Sequence, residues 1–215
     1  MKKHLLIYFL IYFCTLWVSD VYAQKKNSFS IETNLNYLHF NYKVKNAKNY
    51  FNYEASFLAS YYKTEKLKLG IGILYASKYF YATYNIPDPL YKKEYRMQFI
   101  GIPFFIQRQV YQYNKQLYLN ALFGFVIYNC INYDLKSYYT NKPTLYANNL
   151  CMTNYIDLSI RTGIAITIRL NERFLLNTKP FIALELLKEN YNHAYPDAKT
   201  ISFGGEIGIE FLLNK

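Results

Sequence analysis

The stretch that decides the fold is residues 155–170, which read YIDLSIRTGIAITIRL. One parity of this stretch is almost entirely apolar, and the other is polar, charged or small. The first set is Ile156, Leu158, Ile160, Thr162, Ile164, Ile166, Ile168 and Leu170, and the second is Asp157, Ser159, Arg161, Gly163, Ala165, Thr167 and Arg169. Because successive side chains of a strand point to opposite faces, the alternation predicts a β-strand with two unlike faces.

Seven further segments are predicted to be strands. Four of them alternate as cleanly as the first, and they are residues 28–40, 51–63, 67–81 and 201–213. The other three are residues 95–110, 117–133 and 174–187. Residues 117–133 also approach the length of a membrane helix and carry no charge, but their apolar residues keep period two, which favours a strand.

The connections between these segments alternate in length. Short ones span residues 64–66, 111–116 and 171–173, whereas long polar ones span residues 41–49, 82–93, 135–154 and 188–200. Short turns at one end and long loops at the other are typical of barrels inserted from the periplasm. The sequence therefore predicts an all-β fold, an eight-stranded antiparallel up-and-down transmembrane β-barrel.

The glycines indicate which face points outward. A soluble barrel would turn its isoleucine face inward, so alternation alone leaves that alternative open. Six glycines lie on the polar face: Gly70, Gly72, Gly124, Gly163, Gly204 and Gly208. Small residues are needed where side chains crowd into a narrow lumen, whereas on a solvated surface they would only weaken the strands. We therefore expect Ile164 to face lipid and Ala165 to face the lumen.

Composition and the first residues place the chain in the cell envelope. Of 215 residues, 52% are hydrophobic, which excludes disorder, and 26 tyrosines with 16 phenylalanines favour strands. The net charge of +11 comes from scattered lysines, so nucleic acid is not an expected partner. Lys2 and Lys3, an apolar run over residues 5–18, and Val21-Tyr22-Ala23 predict a signal peptide of residues 1–23. Residues 24–215 would then form an outer-membrane barrel domain.

Charged residues on the inward parity are the first candidate site. They are Glu32, Glu54, Lys68, Asp157, Arg161, Arg169, Lys179, Glu185, Glu206 and Glu210. Isolated buried charges are costly, so we expect them to pair across the lumen, with Glu206 opposite Arg161. A structural network that fills the lumen is the simpler interpretation, and a proton or ion path is the alternative.

Strand 95–110 and the cysteines allow two local predictions. The apolar parity of this strand changes between Phe99 and Ile102, which predicts a β-bulge within residues 100–103. Cys130 and Cys151 flank one long loop on adjacent strands and share the lumen parity. They could form a disulfide that closes this loop, or remain two free thiols if their positions on the two strands are out of register.

The loops hold the second candidate site. Cations stand beside aromatic residues there, at Lys43, Lys45, Lys48, Tyr138 and Tyr139. Such residues suit contact with a glycan, a protein or the phosphate of lipopolysaccharide, and they equally suit a solvated loop that touches only outer-membrane lipid.

The predicted function is that of a structural or interaction component that acts through its extracellular loops, and a lipid A-modifying enzyme at the rim is the alternative. Such chemistry needs a base within hydrogen-bond reach of a nucleophile. His39 and His193 are the histidines of the mature chain, and the nearest outward serine, Ser77, lies on a strand not adjacent to that of His39. The sequence predicts no catalytic, cofactor or metal site.

Four features of the sequence carry a resemblance to a known family: the signal sequence, the eight alternating segments, the strand YRMQFIGIPFFI at residues 95–106 and the closing strand GGEIGIEF at residues 204–211. In these features the chain resembles the PorT-like family of Gram-negative outer-membrane barrels. The resemblance implies an outer-membrane barrel inserted by the barrel-assembly machinery, and protein partners in a secretion complex. The chain departs from barrels that end on an aromatic residue, since Leu212-Leu213-Asn214-Lys215 follow Phe211.

Overall fold

A computed structural model describes residues 28–41, 47–49, 52–64, 66–83, 90–139, 143–148, 156–185 and 201–213. These residues form ten strands: β1 Ser28–Asn41, β2 Ala47–Asn49, β3 Asn52–Thr64, β4 Leu67–Thr83, β5 Leu90–Gln112, β6 Leu117–Tyr139, β7 Leu145–Asn148, β8 Ile156–Arg169, β9 Phe174–Glu185 and β10 Ile201–Leu212. The predicted signal peptide lies outside the described residues.

Eight long strands close into a ring. β1 pairs with β10 on one side and with β3 on the other, and the circuit continues through β4, β5, β6, β8 and β9 back to β10. Every pairing is antiparallel. The predicted eight-stranded up-and-down barrel is confirmed, and the short strands β2 and β7 are additions to it that the sequence did not indicate.

The uncharged segment 117–133 lies within strand β6 and is not a helix. Among the residues that the structure describes, no helix is long and apolar enough to cross a bilayer. Period-two alternation was therefore a better guide here than the length of the apolar run.

The outer surface of the ring is apolar. Leu35, Ile73 and Ile207 are 71%, 66% and 62% exposed, and isoleucine, leucine and phenylalanine side chains continue this surface around the barrel. Ile164 is 48% exposed whereas Ala165 is fully buried, as the glycine pattern predicted. An apolar belt of this size on a closed barrel is covered by lipid, because its exposure to water would be strongly unfavourable. The soluble-barrel alternative required the opposite orientation and is wrong; the protein is an outer-membrane β-barrel.

Large aromatic side chains cross the lumen beside the glycines. A Cβ atom on Gly70 would lie 2.1 Å from the ring of Phe105, and one on Gly204 would lie 2.6 Å from the ring of Phe181. Each ring thus occupies the volume that a side chain on the neighbouring strand would need. The lumen is packed by interlocking large and small residues.

Strand β5 keeps one parity throughout its membrane-spanning part. Tyr95, Met97 and Phe99 are buried inside the barrel, and the ladder to β6 is unbroken from Ile100 to Pro103. The predicted bulge in this segment is therefore wrong. A register shift lies just above it, between Gln98 and Phe99, where the extra residue is on β6. The apolar residues at the start of β5 fill an aromatic layer in the upper lumen, so they did not mark the lipid face.

One side of the barrel is much taller than the other. β5 and β6 each contain 23 residues and β4 contains 17, whereas β1, β3, β8, β9 and β10 contain 12 to 14. The extra length lies at the end with the long connections, where β2 pairs with β4 and β7 pairs with β6. Since the short turns of such barrels are periplasmic, this end is extracellular. We call it the extracellular wall: residues 77–83, 90–98 and 132–139 with strands β2 and β7.

Candidate functional site

The lumen holds nine of the ten charged residues that inward parity selected. All nine are buried and belong to salt bridges: Glu32, Glu54, Lys68, Asp157, Arg161, Lys179, Glu185, Glu206 and Glu210. They fall into three groups along the barrel axis, and each group joins strands that are not neighbours in the ring. Salt bridges inside the lumen thus connect strands on different sides of the barrel.

The lowest group surrounds two facing carboxylates. Glu32 on β1 and Glu210 on β10 are directly opposite in the ladder, and both are fully buried. Like charges in this position repel, so a cation must lie between them. Lys68 Nζ lies 2.8 Å from Glu32 and 2.7 Å from Glu210, and the amide of Asn177 donates to both at 2.9 Å. Lys179 contacts Glu32 at 2.6 Å from the far side.

The middle group contains Arg161, but its partner differs from the expected one. Its guanidinium lies 2.8 Å from Glu54 and also donates to the hydroxyl of Tyr128. The predicted partner, Glu206, instead pairs with Lys179 at 2.5 Å. Glu206 and Lys179 are cross-strand neighbours on β10 and β9, so their pairing requires no reach across the lumen.

The upper group is centred on Lys78, which sequence reasoning missed. Its ammonium group lies 2.8 Å from Glu185 and 3.5 Å from Asp157. It also stands 4.9 Å from the ring centre of Phe99 and 4.8 Å from that of Tyr128, a cation–π arrangement. The signal was present in the sequence, because Lys78 shares the inward parity of Ala76 and Lys68.

Arg169 is the one predicted lumen charge that lies elsewhere. It has the inward parity but is exposed, because it occupies the last position of β8, at the periplasmic mouth. Its guanidinium lies 5.8 Å from the ring centre of Tyr118. Parity assigns a face of the strand, and depth along the strand decides whether that face is buried.

The middle of the lumen contains a small cavity whose lining is mostly apolar, with a few polar and charged side chains. Its volume is about 40 Å³, and Asn36, Arg161, Lys179 and Glu206 are among its lining residues. This volume accommodates about three water molecules. The described lumen thus consists of packed side chains, three ion-paired groups and a cavity of water size.

The extracellular wall carries the second set of candidate residues on its outer face. Lys92, Glu94 and Arg96 share the parity of Ile100 and Ile102, which face lipid, and the β4–β5 ladder has no bulge between them. Cross-strand pairing continues this face onto the neighbouring strands. The paired sets are Thr83–Lys92–Tyr138, Tyr81–Glu94–Lys136–Tyr146 and Tyr79–Arg96–Asp134–Asn148.

Tyrosine rings hold the lysines of this outer face. Lys136 Nζ lies 5.0 Å from the ring centre of Tyr138 and 5.1 Å from that of Tyr146. Lys92 Nζ lies 4.9 Å from the ring centre of Tyr81 and 5.2 Å from that of Tyr138. All four distances are within the range of cation–π attraction, so the ammonium groups have a defined position on the wall.

Three charged groups of the wall have pKa values shifted in favour of their ionised forms. Hydrogen bonding to the Tyr138 and Tyr146 hydroxyls raises the pKa of Lys136. The pKa of Lys92 is also raised, chiefly by its hydrogen bond to Glu94 at 2.5 Å. Burial acts to raise the pKa of Glu94, but hydrogen bonds from Lys92 and Tyr138 outweigh it, so the pKa is lowered. All three groups therefore remain ionised.

The residues predicted from the loops are only partly brought together. Tyr138 belongs to the outer face of the wall, and Tyr139 is half-buried at the end of β6. Lys48 lies in β2, beside Tyr81 in the ladder. Lys43 and Lys45 lie outside the described residues. Sequence reasoning missed Lys92, Glu94 and Arg96 because it assigned residues 82–93 to a loop and the next residues to a strand of membrane length.

The predicted disulfide stays a prediction. Cys130 packs against the apolar cluster of the upper lumen, which contains Phe99 and Tyr133. Cys151 lies outside the described residues, so its distance from Cys130 is not defined.

Two of the residues considered for a rim enzyme, His39 and Ser77, do not meet. His39 is exposed on β1, where it pairs with Phe203 of β10. Ser77 is buried on β4, between Tyr53 and Gln98, and strand β3 separates it from β1. His193 lies outside the described residues. Within the described ranges, no group of three or more His, Cys, Asp or Glu side chains could hold a metal ion.

Comparison with known proteins finds similarity in structure and none in sequence. No family model matches the chain, and no curated protein sequence matches it. Among solved structures, Neisserial surface protein A is 10% identical, with a TM-score of 0.44 over 87% of this chain and 99% of that one.

Two other structures are similar to the same extent. The outer membrane protein AlkL is 10% identical, with a TM-score of 0.44 over 92% of this chain and 95% of that one. The outer membrane protease OmpT of Escherichia coli is 8% identical, with a TM-score of 0.43 over 87% and 96% of the two chains. Similarity at this level bears on neither the activity nor the partners of this chain.

Proposed function

We propose that this protein is an interaction component of the outer membrane that acts through its extracellular end. The observation that carries the proposal is the height of the wall: β5 and β6 contain 23 residues where β9 and β10 contain 12. Crossing the bilayer requires only about 9 to 11 residues per strand. The extra residues form a paired sheet with ordered cation–tyrosine contacts, which is a surface suited to recognition.

The closed lumen supports a structural role for the rest of the molecule. An eight-stranded barrel has an interior about as wide as its own side chains, and here three ion-paired groups cross it. Such a lumen favours neither general diffusion nor a substrate site. We therefore propose that the barrel anchors and orients the extracellular wall, without catalysis.

The resemblance to PorT-like barrels suggests the kind of assembly. We propose that the partners include protein components of a secretion complex, and that the barrel-assembly machinery inserts the chain after removal of residues 1–23. The exposed tyrosines of the wall would then be accessible to a protein approaching from outside the cell.

Site-specific photo-cross-linking in living cells tests this function. A photoreactive residue would replace Tyr146, which is 66% exposed on the wall, and Tyr113, which is 72% exposed in a periplasmic turn, serves as the matched control. We expect a discrete protein adduct at position 146 that is absent at position 113. An absence of adducts at position 146 would contradict an extracellular protein partner, and altered lipid A in a deletion strain would favour the rim enzyme instead.

A further inference from the structure

The outer face of the wall is a direct continuation of the lipid-facing belt. Ile100 and Ile102, each 47% exposed, lie on the same face of β5 as Arg96 and Lys92. At about 3.3 Å per residue and a strand tilt of about 40°, Arg96 lies roughly 10 Å above Ile100 along the membrane normal, and Lys92 roughly 20 Å above it. Above Ile100 this face of β5 carries only the polar residues Gln98, Arg96, Glu94 and Lys92, so Ile100 marks the upper edge of the belt. The side chains above it therefore stand beside the head groups of the outer leaflet.

Two cations on this face, Arg96 and Lys136, each have a carboxylate as cross-strand neighbour, Asp134 and Glu94, but neither is ion-paired with it. Glu94 is held by Lys92 and by the hydroxyl of Tyr138 at 2.8 Å. By contrast, neither Arg96 nor Lys136 forms a salt bridge within the described part of the chain. A guanidinium and an ammonium group on adjacent strands at head-group depth are complementary to phosphate.

The tyrosines add a second chemistry to the same face. Tyr146 is 66% exposed and lies beside Lys136 on the next strand. Tyr81 belongs to the same paired set and lies two strands from Lys136 on the other side. An aromatic ring presents a flat apolar surface with a polar tip, which suits contact with a sugar ring at a wet interface. Phosphate and sugar occur together in the head groups of phosphorylated glycolipids.

We propose that the outer face of the extracellular wall binds the phosphorylated sugar head group of an outer-leaflet glycolipid. Arg96 and Lys136 contact its phosphate groups, and Tyr81 and Tyr146 contact its sugars. The occupant is a lipid because the face is continuous with the lipid-covered belt and stands at head-group depth. This inference rests on the proposed function and names one partner of the same wall.

Binding to purified lipopolysaccharide tests this inference. The purified barrel would be placed in nanodiscs of zwitterionic phosphatidylcholine and titrated with lipopolysaccharide or with its chemically dephosphorylated form. The variant is Arg96→Gln/Lys136→Gln, and the matched control is Lys115→Gln/Arg173→Gln, which removes two exposed cations from periplasmic turns. Thermal unfolding of each protein verifies that it is folded.

We expect the wall variant to bind lipopolysaccharide about 25-fold more weakly than the control, because each surface cation contributes roughly fivefold. The two proteins should bind the dephosphorylated form equally. Equal affinity of both proteins for intact lipopolysaccharide would overturn the inference. If the affinities are equal but position 146 still yields a protein adduct in cells, the wall binds a protein partner. In that case the proposed function remains supported and only the glycolipid inference fails.

Discussion

The lumen and the extracellular wall use the same residue types in different surroundings. Lys68 in the lumen is 2% exposed and touches two carboxylates at 2.7 and 2.8 Å. Lys136 on the wall is half-buried between two tyrosine rings, and no salt bridge within the described residues includes it. Burial makes an unpaired charge prohibitive in the lumen, whereas water and head groups solvate one on the wall.

This difference separates the residues that hold the fold from those that are available to a partner. In the lumen, the six buried carboxylates and four buried cations all belong to ion pairs within the barrel. On the wall, the aromatic contacts position the cations and leave their charge outward. We expect substitutions in the lumen to change stability, and substitutions on the wall to change binding.

Removing Lys68 should have the largest effect. In Lys68→Met, Glu32 and Glu210 would face each other with their shared cation gone, and we expect a loss of about 3 to 5 kcal/mol in the free energy of unfolding. Urea unfolding in lipid vesicles measures this loss. Lys115→Met, in an exposed turn, should change it by less than about 0.5 kcal/mol.

A second substitution sharpens that result. Adding Glu210→Gln to Lys68→Met removes one of the two facing charges, so part of the lost stability should return. If the double variant is no more stable than Lys68→Met alone, repulsion between the facing carboxylates is not the cause of the loss.

A cation on the lipid belt should cost more than the same cation on the wall. Ile164 faces lipid near the middle of β8, so Ile164→Arg should destabilise the barrel by about 2 to 4 kcal/mol. Tyr146 is 66% exposed on the outer face of the wall, and Tyr146→Arg should cost less than about 1 kcal/mol, because it removes only an exposed cation–π contact with Lys136. Equal losses in urea unfolding would contradict the assignment of the wall to the space outside the hydrocarbon.

Much of the barrel could be predicted because its signal is local. Alternation over five to eight residue pairs fixes which face of each strand is apolar, and the glycines indicate which face is crowded. Ile164 and Ala165, adjacent in sequence, illustrate this, since one is half-exposed and the other fully buried as predicted. The alternating lengths of the connections supplied the topology.

The partners inside the lumen could not be predicted in the same way. Arg161 pairs with Glu54, and those residues lie on β8 and β3, which are far apart in the ring. Which inward residues meet across the barrel depends on the stagger between all the intervening strands, and no single strand encodes it. The predicted bulge in β5 was wrong for a related reason. Apolar residues can face either lipid or the lumen, and Tyr95, Met97 and Phe99 belong to an aromatic layer of the lumen.

A methyl group beside a lumen aromatic should have an intermediate effect. In Gly70→Ala, the new methyl would meet the ring of Phe105 at 2.1 Å, and we expect overpacking to cost about 1 to 3 kcal/mol of unfolding free energy. Gly205 offers a matched control because a Cβ there has nothing within 4 Å. Phe105→Leu should recover part of the loss in Gly70→Ala, and an equal loss in Gly205→Ala would show that packing is not responsible.

The Lys92–Glu94 pair on the wall should have the smallest effect on stability. Both side chains are partly exposed, at 26% and 17%, so a double-mutant cycle with Lys92→Gln and Glu94→Gln should give a coupling of about 0.2 to 1 kcal/mol, weakened by salt. The pKa of Glu94 is lowered on folding, so this coupling is fully present above its ordinary value of 4.5 and is lost as the pH falls through the lowered pKa. Cycles measured at pH 7 and near pH 3 test the direction. A coupling above about 3 kcal/mol, or one that increases at low pH, would mean that Lys92 and Glu94 are as shielded from water as the ion pairs of the lumen.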